Sequence, residues 1–127
     1  MLSMDPSHEP IFRHGIELFN RRQFFECHEV LEEVWTPTRG PERLFLQALV
    51  HFAVGLYHHQ RRNQAGAERQ LRKGLRKIEG YLPEFLGVRT DMLREEMKKR
   101  LAIIESGESV GEFPVILLDS ERGKVSP

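Results

Sequence analysis

The chain has 127 residues, 39% of them hydrophobic, with 19 lysines and arginines balanced by 19 aspartates and glutamates. That is the make-up of one globular domain; it excludes a disordered chain, and the absence of net charge excludes a molecule that acts as a polyelectrolyte. Its single cysteine, Cys27, excludes an internal disulfide, and its longest apolar-rich run, 44–57, contains Gln47 and His51 and is too short to span a bilayer. The N-terminus MLSMDPSHEP has no basic segment followed by an apolar one, so a cytoplasmic protein without membrane contact is the expectation.

Residues 1–10 are polar with two prolines and read as a mobile lead-in. Helical spacing starts at Ile11, with Phe12, Ile16, Leu18 and Phe19 forming an apolar side, and Asn20-Arg21-Arg22 breaks it. The stretch Phe24–Trp35, FFECHEVLEEVW, predicts a second helix. Its inner face is expected to be Phe24, His28, Leu31, Glu32 and Trp35, with Glu26, Glu29 and Glu33 opposite, toward water. Cys27 sits about 100° round from His28 and reads as a small buried hydrophobe rather than a thiolate.

Thr36-Pro37-Thr38-Arg39-Gly40 breaks the pattern, and Pro41 suits the first turn of a third helix, Pro41 to about Arg62. The short connection predicts that these two helices are antiparallel neighbours. The third helix is apolar nearly all round and so has to be surrounded by others. A thin polar stripe interrupts it, where Gln47, His51 and His58 recur with Leu44 near one angular position. Asn63 is suited to cap a fourth helix, Gln64 to Leu82, with a seam of Ala67, Leu71, Leu75, Ile78 and Leu82. After Pro83 and Gly87, Thr90 or Asp91 is expected to cap a last helix, with Leu93, Met97, Leu101 and Ile104 inward and Gly107 ending it. The tail, 108–127, is expected to be partly docked or disordered. Its one apolar run, Val115–Leu118, reads as an extended segment docked on the bundle or a strand without a partner. No internal repeat is evident, and the two middle helices resemble a tetratricopeptide hairpin only loosely. The fold class is therefore all-α, a single-domain bundle of about five helices over 11–107 around a central apolar helix.

His28 and Glu32, at i and i+4, can hydrogen-bond across one turn or bind one metal ion through nitrogen and oxygen. Two protein ligands are too few, so His51 and His58 from the adjacent helix are the natural additional candidates. Such a set suits a divalent zinc, iron, manganese or nickel ion. Phe24 and Trp35 would wall the pocket, and Gln47 and Tyr57 would be its polar neighbours. The same residues equally suit a satisfied polar cluster that fixes helix register in a protein-interaction module without chemistry. No substrate or reaction is legible, and whether the chain is an enzyme stays open. The string His28-Glu29-Val30-Leu31-Glu32 also resembles a zincin helix whose second histidine is replaced by glutamate, a weak signal without other hallmarks.

Residues 61–77 hold Arg61, Arg62, Arg69, Arg72, Lys73, Arg76 and Lys77 against Glu68 alone. A third reading follows, nucleic-acid binding through the basic helix. The lack of interleaved aromatics and of a groove-binding motif argues against it and for a solvated face. Glu26, Glu29 and Glu33 offer counter-charge, within the molecule or in a second copy, which makes a homodimer a candidate state. His8 and His14 read as surface residues, and His59 as lying off the stripe beside solvent.

The strings QFFECHEVLEEVW, GPERLFLQALVHFAVGLYHHQRRN and GAERQLRKGLRKIEGYLP together resemble the domain-of-unknown-function 309 family of small bacterial and archaeal proteins. The resemblance runs roughly from Phe19 to Gly87. His28, Glu32 and Trp35 match that family's H-x-x-x-E-x-x-W/Y motif, and Gly40-Pro41-Glu42-Arg43 follows in the corresponding place. What the resemblance implies is an all-helical bundle and a motif associated with metal binding, with no established activity.

Overall fold

Five α-helices make up most of the described residues: α1 (Glu9–Asn20), α2 (Phe24–Trp35), α3 (Pro41–Gln60), α4 (Gln64–Ile78) and α5 (Thr90–Glu105). The computed structural model describes residues 5–107 and 113–118, so the expectations for 1–4, 108–112 and 119–127 lie outside the described residues. Glu9 and Pro10 open α1, since a proline in the first turn gives up no intrahelical bond and an acidic side chain suits the positive end of the helix dipole. The helix therefore starts inside the stretch read as a lead-in.

The corners that join α1 to α2 and α3 to α4 are built alike. Arg22 and Arg62 take left-handed backbone angles, φ 65 and 61. Each sits just past a helix end, where Arg22 N donates to Phe19 O and Gln23 N to Leu18 O, and where Arg62 N donates to His59 O and Asn63 N to His58 O. These bonds satisfy the last carbonyls of each helix and offset the cost of a left-handed non-glycine residue. Within each hairpin a glycine admits a leucine of the partner helix. A Cβ on Gly15 would lie 2.7 Å from Leu31 Cδ2, and one on Gly55 would lie 2.8 Å from Leu71 Cδ2. Phe12/Phe52, Gly15/Gly55, Arg21/Arg61, Arg22/Arg62 and Leu31/Leu71 all align at one constant offset. The two hairpins thus share a corner geometry and a glycine–leucine approach. The shared positions are mostly turn and close-approach residues, whose importance shows only once the partner helix is in place.

As expected, α3 is the central helix, bordered by α2 and α4, with Phe45, Leu46, Leu49, Phe52 and Leu56 fully buried. Leu44 departs from the apolar pattern and is 51% exposed in the first turn. Asn63 caps α4, its side-chain oxygen accepting from Gly66 N at 3.0 Å. α4 stops at Ile78, short of Leu82, and a 3₁₀ turn, Glu79–Tyr81, follows. Thr90 is the first residue of α5 and not its cap: its hydroxyl donates instead to Tyr81 O at 2.7 Å.

Residues 113–118 lie extended against the bundle. The Asn20 side chain brackets Ile116, donating to its carbonyl at 3.0 Å and accepting from its amide at 2.7 Å, while Arg89 N donates to Leu117 O. Pro114, Ile116 and Leu118 are buried, and Val115 and Leu117 face outward. Phe113 packs against the Phe24 ring at 5.4 Å with the Arg100 guanidinium 4.7 Å from its centroid. His59, expected beside solvent, is instead buried and meets Phe113 edge-on. No helix among the described residues is long and apolar enough to cross a membrane.

Candidate functional site

The helical period brings His28 and Glu32 together within α2, His28 Nε2 lying 2.6 Å from Glu32 Oε1. The other ring nitrogen, Nδ1, is 3.2 Å from Phe25 O, so both edges of the imidazole meet acceptors of its own helix. The two side chains are 25% and 43% exposed. Glu26, Glu29 and Glu33 face solvent, as the spacing predicted.

Trp35 belongs to a different arrangement, at the far end of α2. The Arg43 guanidinium from the first turns of α3 lies 4.2 Å from its ring centroid. The same group donates to Trp35 O and Thr38 O, both at 3.0 Å, and Thr38 Oγ1 donates to Val34 O at 2.6 Å. Carbonyls that α2 leaves unsatisfied at its C-terminus are thereby capped by a cation, which the helix dipole also favours. Gly40, at φ 78, supplies the left-handed turn that lets α3 double back and bring Arg43 into place. Trp35 and Arg43 together brace the α2–α3 corner.

His51 turns toward α4. Lys77 Nζ lies 3.0 Å from His51 Nε2, and His51 Nδ1 lies 2.7 Å from Gln70 Oε1. An ammonium has only donors, so Nε2 accepts and the ring proton sits on Nδ1, donated to the Gln70 oxygen. The structure therefore does not bring His51 to the His28–Glu32 pair. Gln47, one turn before His51, and Trp35 are likewise away from the pocket they were expected to line. His58, Phe24 and Tyr57 do meet His28, in an open cleft of about 150 Å³ lined by Phe24, Phe25, His28, Val54, Tyr57 and His58. Phe25 and Val54 escaped the sequence reading. The Phe25 ring is 45% exposed and stands 5.5 Å from the His28 ring and 5.4 Å from the Tyr57 ring. Its position at i−3 to His28 was the available signal. Among the described residues no group of three or more His, Cys, Asp or Glu is placed to hold a metal ion. Cys27 is buried as expected, and burial pushes its thiol up to about 12.

Ion pairs tie the basic helix to α5: Arg72 pairs with Glu105, and Arg94 of α5 pairs with Glu79 just past α4. His51 is held below the ordinary imidazole range, first by burial and then by the neighbouring Lys77, Lys73 and Arg76, with the Gln70 hydrogen bond opposing. The unfolded chain then takes up a proton near pH ~6.5 that the folded chain refuses until a lower pH, so stability falls as the pH drops through that window. Above it His51 is neutral in both states and adds no pH dependence. Denaturation midpoints of wild type and His51→Gln between about pH 5 and pH 8 should diverge on the acid side, the variant having the flatter profile.

The described residues form an all-helical bundle in which Trp35 and Arg43 brace the α2–α3 corner. Residues 12–70 match the model of the family described as Domain of unknown function (DUF309). It is similar to the uncharacterized protein YpuF of Bacillus subtilis (strain 168), at 36% identity over 114 residues. That match covers 87% of this chain and 63% of YpuF, so the chain spans less than two thirds of the relative's length. It is also similar to the crystal structure of a conserved hypothetical protein, TTHA0068, from Thermus thermophilus. That comparison gives a TM-score of 0.63 at 29% identity and covers 71% of this chain and 94% of the other.

Proposed function

We propose that this protein is a non-enzymatic interaction module in which the His28–Glu32–Trp35 motif is structural and the aromatic cleft is the contact surface. The observation that carries this reading is the exposed Phe25 ring, set beside Tyr57 and His28 over a cleft of about 150 Å³. A cleft of that kind suits an aliphatic or aromatic side chain from a partner, since buried apolar anchors dominate interface energies. His28 finds partners within its own helix in Glu32 and Phe25 O, and Arg43 caps the end of α2 beside Trp35.

Binding of a divalent metal is the second reading. It is supported by the 2.6 Å approach of an imidazole nitrogen to a carboxylate oxygen at a solvent-accessible edge, with His58 lining the same cleft as His28. Metal analysis of the purified protein, zinc titration and denaturation of variants separate the two. The interaction reading expects no stoichiometric metal and a loss of a few tenths of a kcal/mol for His28→Ala, the size of an exposed i,i+4 pair. It expects a loss of about 1–2 kcal/mol for Arg43→Lys, because a lysine lacks the planar guanidinium that lies over the indole while donating to the carbonyls at the end of α2. A photo-crosslinking residue at Phe25 should trap one defined protein, and the same residue at Glu33 should not. One zinc ion per chain, lost in a folded His28→Ala variant, would overturn the interaction reading in favour of the metal site.

A further inference from the structure

The α3–α4 face carries a second constellation, independent of the aromatic cleft. Lys73, Arg76 and Lys77 share one face of α4 at i, i+3 and i+4, a spacing at which like charges repel. None of the three is paired with a carboxylate among the described residues, whereas Arg72 and Arg94 nearby are. The Lys77 ammonium takes an imidazole as its acceptor, and that imidazole is oriented from its other side by Gln70. One of the three ammonium protons is used in this way, and two remain to be donated. Lys77 is held below the ordinary lysine range by burial and by Lys73 and Arg76, and Lys73, Lys77 and Arg76 act on His51 in the same direction. The result is a small, partly desolvated field of positive charge without an internal counter-ion.

We propose that Lys73, Arg76, Lys77 and His51 form a binding site for the phosphate group of a small molecule. Three cations within about one helical turn, roughly 6 Å, match the size and double charge of a single phosphate better than a lone carboxylate. Arg76 supplies a planar fork, the lysines supply point charges, and His51 holds Lys77 in place through a bond that leaves its remaining protons available. A nucleic-acid strand would need a longer row of cations and aromatic platforms for its bases, and no aromatic side chain lies on α4.

The test is titration of the whole protein with inorganic pyrophosphate and with inorganic phosphate at about 0.15 M salt, followed by calorimetry and by the NMR signals of the His51 ring. Binding of one pyrophosphate per chain is expected, with a rise in the His51 titration midpoint, because the bound anion favours the protonated imidazole. Lys73→Gln and Lys77→Gln should each weaken binding about tenfold or more, while Arg13→Gln, a surface cation on α1, should leave it unchanged. Lys73 makes no bond to His51, so its variant keeps the test valid if Lys77→Gln perturbs the fold. An unmoved His51 midpoint with millimolar pyrophosphate, or equal weakening by Arg13→Gln, overturns the proposal. So does preferential binding of a single-stranded oligonucleotide that depends on Arg69 as strongly as on Lys73, or binding only to vesicles containing phosphatidylglycerol.

Discussion

Phe52→Ala is expected to lower stability by about 3–5 kcal/mol, a large share of the ~5–15 kcal/mol typical of a domain. Phe52 is fully buried in the central helix. Its ring occupies the space where any other residue at Gly74 would carry a side chain: a Cβ there would lie 2.5 Å from Phe52 Cε1 and 2.6 Å from Cδ1. It would also lie 3.1 Å from the backbone oxygen of Ala48, so truncating the ring leaves a hole bounded on one side by helix backbone. The converse substitution tests the same contact. Gly74→Ala gains up to about 1 kcal/mol of helix propensity but overpacks against the ring at a cost of about 1–3 kcal/mol, so the net effect is destabilising. In a Phe52→Leu background the clash is relieved, and the two changes together should cost less than their sum. Urea denaturation of the four proteins measures this coupling. A Gly74→Ala variant more stable than wild type would show that the helices can separate without loss.

Ile116→Ala is expected to cost about 2–4 kcal/mol, although the residue lies outside the helices. Ile116 is fully buried, and its amide and carbonyl are both held by the Asn20 side chain. Removing the side chain takes away the main apolar gain of the docked segment, and ordering of its backbone, at roughly 1–2 kcal/mol per residue, is then less well offset. Asn20→Ala attacks the same contact from the other side, leaving a part-buried amide and carbonyl without their partner. Both variants should speed exchange of the Ile116 amide and cleavage by protease near residues 113–118, with the bundle still folded. Exchange as slow as in wild type in both variants would mean that the segment is held by other contacts.

Local patterning was enough to mark the helices. Periodicity marked the helical faces, Asn63 and Pro41 marked two starts correctly, and the His28–Glu32 pair could be placed because it lies within a single helical turn. Such features depend on the backbone period alone. Tertiary packing decided which neighbour each face meets. Gln47, His51 and His58 form one stripe on paper, yet α3 is bordered on both sides, so His51 bonds to α4 while His58 shares a cleft with α2. Packing likewise exposed Phe25 and Leu44, buried His59 under Phe113, and carried Arg43 across the corner to Trp35. The spacing of residues fixes angles around one helix axis. The rotation and crossing of helices, which settle what those angles point at, arise from the summed packing of all five and from the extended segment laid against them.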